Sequence, residues 1–529
     1  MSGPPGRTNG DPVQSETSQA RLKYHDFALP ALALGYLLVH LVTGHRYGFY
    51  RDELYYLVCG TNLAAGYVDH PPLVPVIAAV LRALGTDTVF CLRVLPAVSG
   101  ALVVWLTGSL ATRLGGGPWA RVLAALAVCC APLFLRSHTM LTPAAFETLL
   151  WITFSLALLR IVRDPRPALG LYLGLVLGAG LLNKYSFVFL IIALALGCLV
   201  SPVCRKAAHG GDETGPPWRA LLPALVVAGL MIMPNLLWQS QNGWPTLEFL
   251  RNLRREILSQ VTLLEFSAGQ GFLLNPAAWP LWLAGLWWLL RRPEGAPYRA
   301  FGLSYVLLFL FFALTQGKIY YLLPAYPILG AAGAVMFETW WHGDRRRPLL
   351  ATVVIAMIAA GLALAPLGLP LLPAARIDTY VKLVTGGRRD ATVMAGHYAD
   401  MHGWPELATA VAHAWDALPA RQREQGFILA GNYGEASAIA VLNPAPELLP
   451  VYSGHNSYFL WGPPKEDREY CLAVGIPAAR LAQVYETVAE VGVIRLPQAA
   501  YYEAELTLLL GHGLKLSWQE AWPWFRSYR

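Results

Sequence analysis

Acids and cations able to handle a phosphate-borne group sit where apolar runs of this chain begin or end. Asp52 and Glu53 lie in Gly48-Phe-Tyr-Arg-Asp-Glu-Leu-Tyr-Tyr56. A carboxylate flanked by aromatics at a membrane edge can serve as a general base toward a hydroxyl or amine. The plain alternative is an interfacial helix with a capping acid. Asp69 and His70 precede Pro71-Pro72. This acid and imidazole can tune the first acid or meet a metal or phosphate, although one acid and one His do not make a metal site. Glu147 falls about one turn into an apolar run, where an ionisable group points to function unless it is held by a structural hydrogen bond. Lys184 interrupts a long apolar stretch, Lys318 precedes Tyr320-Tyr321, and Arg251 stands near Arg254 and Arg255. Such cations bind the phosphate of a lipid-borne substrate, or ordinary lipid headgroups, while a carboxylate moves the proton.

The elements that must position these residues are membrane helices. Of 529 residues, 55% are hydrophobic and 14% charged, against about 25% charged in soluble domains; the mean hydropathy is +0.43. Apolar runs at about 27–44, 88–112, 119–135, 143–162, 168–183, 185–202, 219–238, 271–290, 300–316, 319–341 and 348–372 predict about eleven spans. The 18 Trp and 24 Tyr suit interfacial belts. Residues 1–24 read as a disordered cytoplasmic tail without a signal peptide, 25–372 as the membrane domain, and 373–529 as a soluble α/β domain.

Positively charged loops set the orientation. Arg21 and Lys23; Arg113 and Arg121; Arg160, Arg163 and Arg166; Arg205, Lys206 and Arg219; Arg291, Arg292 and Arg299; and Arg345, Arg346 and Arg347 all fall on one side. With the N-terminus cytoplasmic, the segments 45–87, 239–270 and everything after about 373 lie outside. The first of these suits two interfacial helices, the second opened by Pro71-Pro72. Lys184, Arg251 and Lys318 break the charge bias and share the outer side with the acids.

In the C-terminal part, Gly431-Asn-Tyr-Gly-Glu-Ala436 and Ser453-Gly-His-Asn-Ser-Tyr458 follow strand-like runs. Loops at strand ends bind ligands, so Asn432, Tyr433, Glu435, His455, Asn456 and Tyr458 are candidate sugar or acceptor contacts; a plain turn-rich loop is the alternative. The seven cysteines show no CxxC spacing and read as apolar fillers. No basic tract with interleaved aromatics suggests nucleic acid.

The ordered set Tyr50-Arg-Asp-Glu53, Asp69-His-Pro-Pro-Leu73, Glu147, Asn183-Lys-Tyr185 and Gly317-Lys-Ile-Tyr-Tyr-Leu-Leu-Pro-Ala-Tyr-Pro327 resembles glycosyltransferase family 39. That family includes protein O-mannosyltransferases and lipid A aminoarabinose transferases. The resemblance covers about residues 25–340. It implies a GT-C-type polytopic helical fold and transfer of a sugar, with inversion, from a polyprenyl-phosphate donor to an acceptor outside the cytoplasm. It gives Asp52 the role of base or acceptor-orienting group and lines the same cavity with Asp69 and His70. Lys184 and Lys318, with Arg251, Tyr320 and Tyr321, face the donor phosphate, and Glu147 matches an intramembrane acid. Aminoarabinose transferases show Glu-Lys-Pro-Pro where this chain has Asp69-His70-Pro71-Pro72. Family members differ in using a divalent metal (Mg, Mn or Zn), for which Asp69, His70 and Glu147 are the candidate ligands here. A bacterial inner membrane fits the compact loops and the absence of Asn-x-Ser/Thr sites. A transporter is the competing class, but it would place ionisable groups near the midplane of two matching halves.

Overall fold

The computed structural model describes residues 12–164, 166–201, 218–256, 262–342, 346–387, 396–443 and 451–529. Of the residues singled out above, Cys204, Arg205, Lys206 and Arg345 lie outside the described residues, as do the side chains of Arg21, Lys23 and Arg163.

The chain begins with α1 (Pro12–Thr43), which extends into the segment expected to be a tail. Two short helices follow, α2 (Arg51–Thr61) and α3 (Leu73–Ala83), then α4 (Val89–Arg113), α5 (Pro118–Cys129), α6 (Pro132–Ser137), α7 (Pro143–Arg163), α8 (Pro167–Asn183) and α9 (Phe187–Val200). After α10 (Trp218–Gln241) and α11 (Pro245–Glu256) come α12 (Leu263–Leu274), α13 (Trp279–Arg291), α14 (Arg299–Leu314), a 3-10 segment Ile319–Ala325, α15 (Tyr326–Trp341) and α16 (Arg347–Gly368). Among the described residues, six helices are long and apolar enough to cross a membrane: Val89–Arg113, Pro143–Ile161, Arg219–Gln241, Ala296–Leu314, Ile319–Trp341 and Arg347–Gly368. Shorter apolar helices accompany them.

Two of the expected spans are broken. The run 271–290 is split between α12 and α13 at Asn275, whose φ of 123° is foreign to a helix. The run 119–135 breaks after α5, where Ala131 and Pro132 redirect the chain into α6. A broken helix in an apolar setting leaves backbone groups that need partners. Asn275 supplies them, donating from Nδ2 to the carbonyls of Cys130 (2.9 Å) and Met357 (2.8 Å) while its Oδ1 accepts from Ala277 N–H (3.0 Å). One buried amide therefore holds both breaks against α16. Elsewhere helices approach backbone to backbone. A Cβ at Gly285 would stand 2.0 Å from the Leu329 carbonyl, and one at Gly333 2.0 Å from that of Leu281, so α13 and α15 pack through small residues.

Beyond α17 (Ala374–Thr385) and α18 (Trp404–Asp416) lies a five-stranded sheet. Its strands are β1 (Gly426–Ala430), β2 (Val451–Ser453), β3 (Tyr470–Val474), β4 (Tyr485–Arg495) and β5 (Glu505–Leu514), in the order β2-β1-β3-β5-β4. The β2-β1-β3 half is parallel and the β3-β5-β4 half antiparallel. Trp518, Trp522 and Phe525 cover one face with Phe427 and Leu429. The other face carries Ile428, Leu472 and helix α19 (Tyr433–Leu442). There the core includes Leu54, Tyr55, Val58 and Cys59 of α2 and Tyr67 beyond it. The first loop of the membrane part thus completes the core of the sheet domain. The parallel strands β1 and β3 are short and almost wholly buried, as sandwiched parallel strands must be, while the edge strand β2 is partly open.

Candidate active site

Helix α2 follows the capping residue Tyr50, and its first turn presents two acids with opposite surroundings. Glu53 is fully buried, and its carboxylate is saturated. Arg93 donates to it through Nε (3.1 Å) and Nη2 (2.7 Å), and the N–H groups of Tyr50 (2.8 Å) and Leu141 (2.9 Å) supply two more bonds. Arg93 also donates to the carbonyls of Gly44 and Gly48. This pair clamps α2, α4 and the entry to α7 together. Glu53 was expected beside Asp52 as a catalytic residue; no acceptor position on its carboxylate is left for a substrate.

Asp52 differs. Its side chain is 26% exposed against 0% for Glu53. Its Oδ1 accepts from the Tyr433 hydroxyl at 2.8 Å, and Arg51 Nε lies 3.5 Å from the same oxygen. Among the described residues nothing donates to Oδ2, which leaves one oxygen able to take a proton. Tyr433 stands on the first turn of α19, capped by Asn432, whose Oδ1 accepts from Gly434 and Glu435 N–H. The Tyr433 ring lies 4.6 Å from that of Tyr55, whose hydroxyl donates to Asp69 Oδ1 at 3.1 Å. Asp52 and Asp69 are thereby joined across two tyrosines. Burial pushes the Asp69 carboxyl above its ordinary range, His70 opposing the shift. His70 sits 3.8 Å from Asp69, enclosed by the rings of Tyr55, Tyr56 and Tyr67.

The cations form a second cluster. Lys184 donates to Glu147 Oε2 at 2.7 Å, and Ser186 donates to Oε1. The ammonium also lies 5.1 Å and 5.2 Å from the ring centroids of Tyr320 and Tyr321, with Lys318 6.0 Å from Tyr320, distances suited to cation–π attraction. Asn183 ties this turn to α7 by donating to Pro143 O (2.9 Å). Gln270 of α12 donates to Ile319 O (2.8 Å) and fixes the 3-10 segment. Helix α10 links the two clusters. Its Asn235 donates to Ala65 O (2.9 Å) and accepts from Tyr185, while Gln239 reaches Tyr67 O (3.3 Å). Through α10 the turn bearing Lys184 is thus tied to the loop that carries Asp69.

Several candidates stand elsewhere. Arg251 is exposed on α11, whose Glu248 and Asn252 bind Arg526 and the Tyr528 carbonyl; no described contact brings Arg251 to Lys184 or Lys318. Asn432 and Glu435 are spent internally. Asn432 Nδ2 donates to Glu435 (2.7 Å) and to Glu503 (2.8 Å). Gly431 N–H donates to Glu435 (2.8 Å). Gly475, with φ +65°, leaves the room Glu435 occupies, since a Cβ there would lie 2.5 Å from its carboxylate. His455 and Asn456 grip the chain at Ser527 and Arg529. Tyr458 bonds Ser437 (3.1 Å) and packs on Trp461. Of the six loop residues expected to contact sugar, only Tyr433 turns toward the acids; the others hold the domain together. Nor do the three metal candidates converge, because Glu147 is taken by Lys184 and Ser186. Among the described residues no group of three or more His, Cys, Asp or Glu side chains could hold a metal ion.

Residues the sequence reading did not single out join the site. Arg51 donates to Tyr502 (2.8 Å) and lies 5.2 Å from the Tyr433 ring centroid, and Tyr502 donates to Asp400. Only Arg51, adjacent to Asp52, carried a local signal; Asp400 and Tyr502 reach it from more than three hundred residues away.

Residues 69–238 match the dolichyl-phosphate-mannose-protein mannosyltransferase family. The lipid A galacturonosyltransferase RgtD of Rhizobium johnstonii is 26% identical over 257 residues, which are 47% of this chain and 50% of RgtD; the chain thus aligns with about half the length of that relative. Two crystal structures of ArnT from Cupriavidus metallidurans share the fold. The one bound to undecaprenyl phosphate gives a TM-score of 0.57 at 16% identity, covering 91% of this chain and 97% of ArnT. The apo structure gives 0.55 at 15% identity, covering 94% and 98%. The chain has the ArnT-like GT-C fold, mostly helical with a small C-terminal sheet domain.

Proposed function

We propose that this chain is a membrane glycosyltransferase that moves a sugar from a polyprenyl-phosphate donor to an acceptor outside the cytoplasm, inverting the anomeric carbon. The carrying observation is one partly exposed carboxylate, Asp52, at the start of the first loop, which α10 ties to the turn bearing Lys184 beside Tyr320, Tyr321 and Lys318. Undecaprenyl phosphate, bound in the ArnT crystal structure, is the carrier of choice.

In this reading the donor phosphate rests against Lys318 and the Lys184 edge of the tyrosine pair. The acceptor oxygen attacks the anomeric carbon from the side opposite the phosphate. Its proton passes to Asp52 Oδ2 as the carbon–oxygen bond to phosphate breaks, and the polyprenyl phosphate leaves with the bonding electrons. Charge gathers on that leaving phosphate in the transition state, where fixed cations act most strongly. A single displacement needs only one carboxylate base, and no step calls on a metal. The match to RgtD favours a lipid A-type acceptor and a uronic acid among the sugars to test first.

Binding of undecaprenyl phosphate to the purified protein tests the donor site. Lys318→Ala is the cleaner variant, because removing Lys184 would also strand Glu147. A weaker affinity in Lys318→Ala is expected; an unchanged one removes Lys318 from the phosphate site.

A further inference from the structure

Behind the bond from Tyr433 to Asp52 lie two buried acids that the transfer reaction does not use. Glu435, on the first turn of α19, is 2% exposed, and Glu503, in the turn between β4 and β5, is 1% exposed. A single amide joins them. Asn432 Nδ2 donates to Oε1 of Glu435 (2.7 Å) and to Oε1 of Glu503 (2.8 Å). Its Oδ1 accepts the N–H groups of Gly434 (2.8 Å) and Glu435 (3.0 Å), so the whole Asn432 side chain is committed. The second oxygen of Glu435 accepts from Gly431 N–H (2.8 Å), whereas among the described residues nothing donates to Glu503 Oε2.

Among the described residues no cation bonds to either carboxyl. Two acids held by one neutral amide in a buried place cannot both keep a charge, so they titrate as a pair and hold a proton between them. Burial raises both, Glu503 to about 7, and the charge of Glu503 adds to the rise of Glu435. From the neighbouring elements, Arg51 of α2 opposes the rise of Glu503 and Asp400 adds to it. Tyr502 spends its hydroxyl on Asp400. His455, whose ring lies 5.0 Å from that of Tyr433, is lowered by burial to about 4 and is neutral where the pair titrates. The first turn of α19 is also pressed against α2, since a Cβ at Gly434 would stand 2.6 Å from Arg51 Cγ. A shift of Asn432 therefore carries Tyr433 with it.

We infer that Glu435 and Glu503 are positioning residues for Asp52: by sharing a proton they fix Asn432, and Asn432 fixes the turn of α19 that sets the Tyr433 hydroxyl on Asp52 Oδ1. Loss of that proton to solvent leaves two facing charges, spreads the pair and frees the Tyr433 hydroxyl. The consequence for sugar transfer rests on the reading of Asp52 as base; the hydrogen-bond chain does not.

The test is carbon NMR of the full chain in detergent, with tyrosine isotopically labelled at Cζ. The Tyr433 resonance is the one missing from Tyr433→Phe. Between about pH 6 and about pH 8.5 it should move with a midpoint near 7. In Glu503→Gln, whose amide keeps a donor without the charge, it should stay at its low-pH position. In Asp52→Ala, which removes the acceptor, most of the movement should be lost. A resonance that does not titrate, or that titrates equally in Glu503→Gln, overturns the inference. Equal movement in Asp52→Ala would show the charge of the pair acting on the ring directly, and overturns the link to Asp52. Should Glu503→Gln fail to fold, Glu435→Gln decides the matter by the same criterion. A merely structural pair would change the unfolding midpoint and leave the Tyr433 resonance still. Failure of the transfer reading, seen as unchanged glycan pools in Asp52→Asn cells, leaves the NMR result unaffected.

Discussion

At the scale of single residues, environment separates side chains that look equivalent in sequence. Asp52 and Glu53 are neighbours, yet one is half-open with a free oxygen and the other is locked in four bonds. Tyr433→Phe tests the cross-domain bond to Asp52. Losing a hydrogen bond to a charged group is worth about 1.5–3 kcal/mol, so kcat should fall about tenfold to a hundredfold. Affinity for undecaprenyl phosphate should hold; a fall in that affinity with kcat intact would move Tyr433 into the donor site. Glu503 supports a pH prediction. Burial pushes it up to about 7, against the Asn432 hydrogen bond, and it faces Glu435, which burial also raises. The folded value lies above the unfolded one, so the proton's stabilising effect is complete below the ordinary carboxylate range and is lost as pH rises through about 7. The unfolding midpoint should therefore drop between pH 6 and 8.5, and Glu503→Gln should flatten that drop. An equally steep profile in the variant would remove Glu503 from the account. Sequence made Asp52, Lys184 and Lys318 visible, because charges beside apolar runs are expensive and few. It hid the spending of His455, Asn456 and Glu435 on internal bonds, since a polar loop reads the same whether it faces ligand or neighbour.

Among the elements, the apolar pattern announced the helices but not where they break. Asn275-Pro276 in the run 271–290 and Ala131-Pro132 in the run 119–135 are local break signals that hydropathy alone passes over; what the sequence does not show is that the Asn275 amide satisfies two other helices. Asn275→Leu deletes those bonds. Hydrogen bonds between membrane helices are worth about 0.6–2 kcal/mol each, so the thermal midpoint should drop while undecaprenyl phosphate affinity changes little. An unmoved midpoint would show that the breaks need no such pin. The Glu53–Arg93 clamp is more severe. Removing one partner of a buried ion pair costs about 3–5 kcal/mol, so Glu53→Gln should lose folded yield, whereas Asp52→Asn should not. If the two variants expressed and unfolded alike, Glu53 would have no special structural role. The strand at 426–430 agrees with the strand-like run read before Gly431, since period and turn residues are local signals.

For the molecule as a whole, the expected division into membrane part and soluble domain understates their union. Leu54, Tyr55 and Val58 of the first loop lie in the same apolar core as Ile428, Ala436 and Leu472, and Tyr433 reaches back to Asp52. No pattern in sequence predicts contacts across almost four hundred residues. Such a union brings the sheet domain to Asp52. A reporter fused after Arg529 should be found outside the cytoplasm, on the side assigned to Asp52, and a cytoplasmic signal would reverse the orientation drawn from the charged loops. The central claim, sugar transfer with Asp52 as base, is met most directly by mass spectrometry of polyprenyl-phosphate sugars and envelope glycans in cells carrying either the wild type or Asp52→Asn. The account predicts a lipid-linked sugar that accumulates and a glycosylated acceptor that disappears in the Asp52→Asn cells, at equal protein level. Unchanged pools of both, with the variant folded and in the membrane, would contradict it.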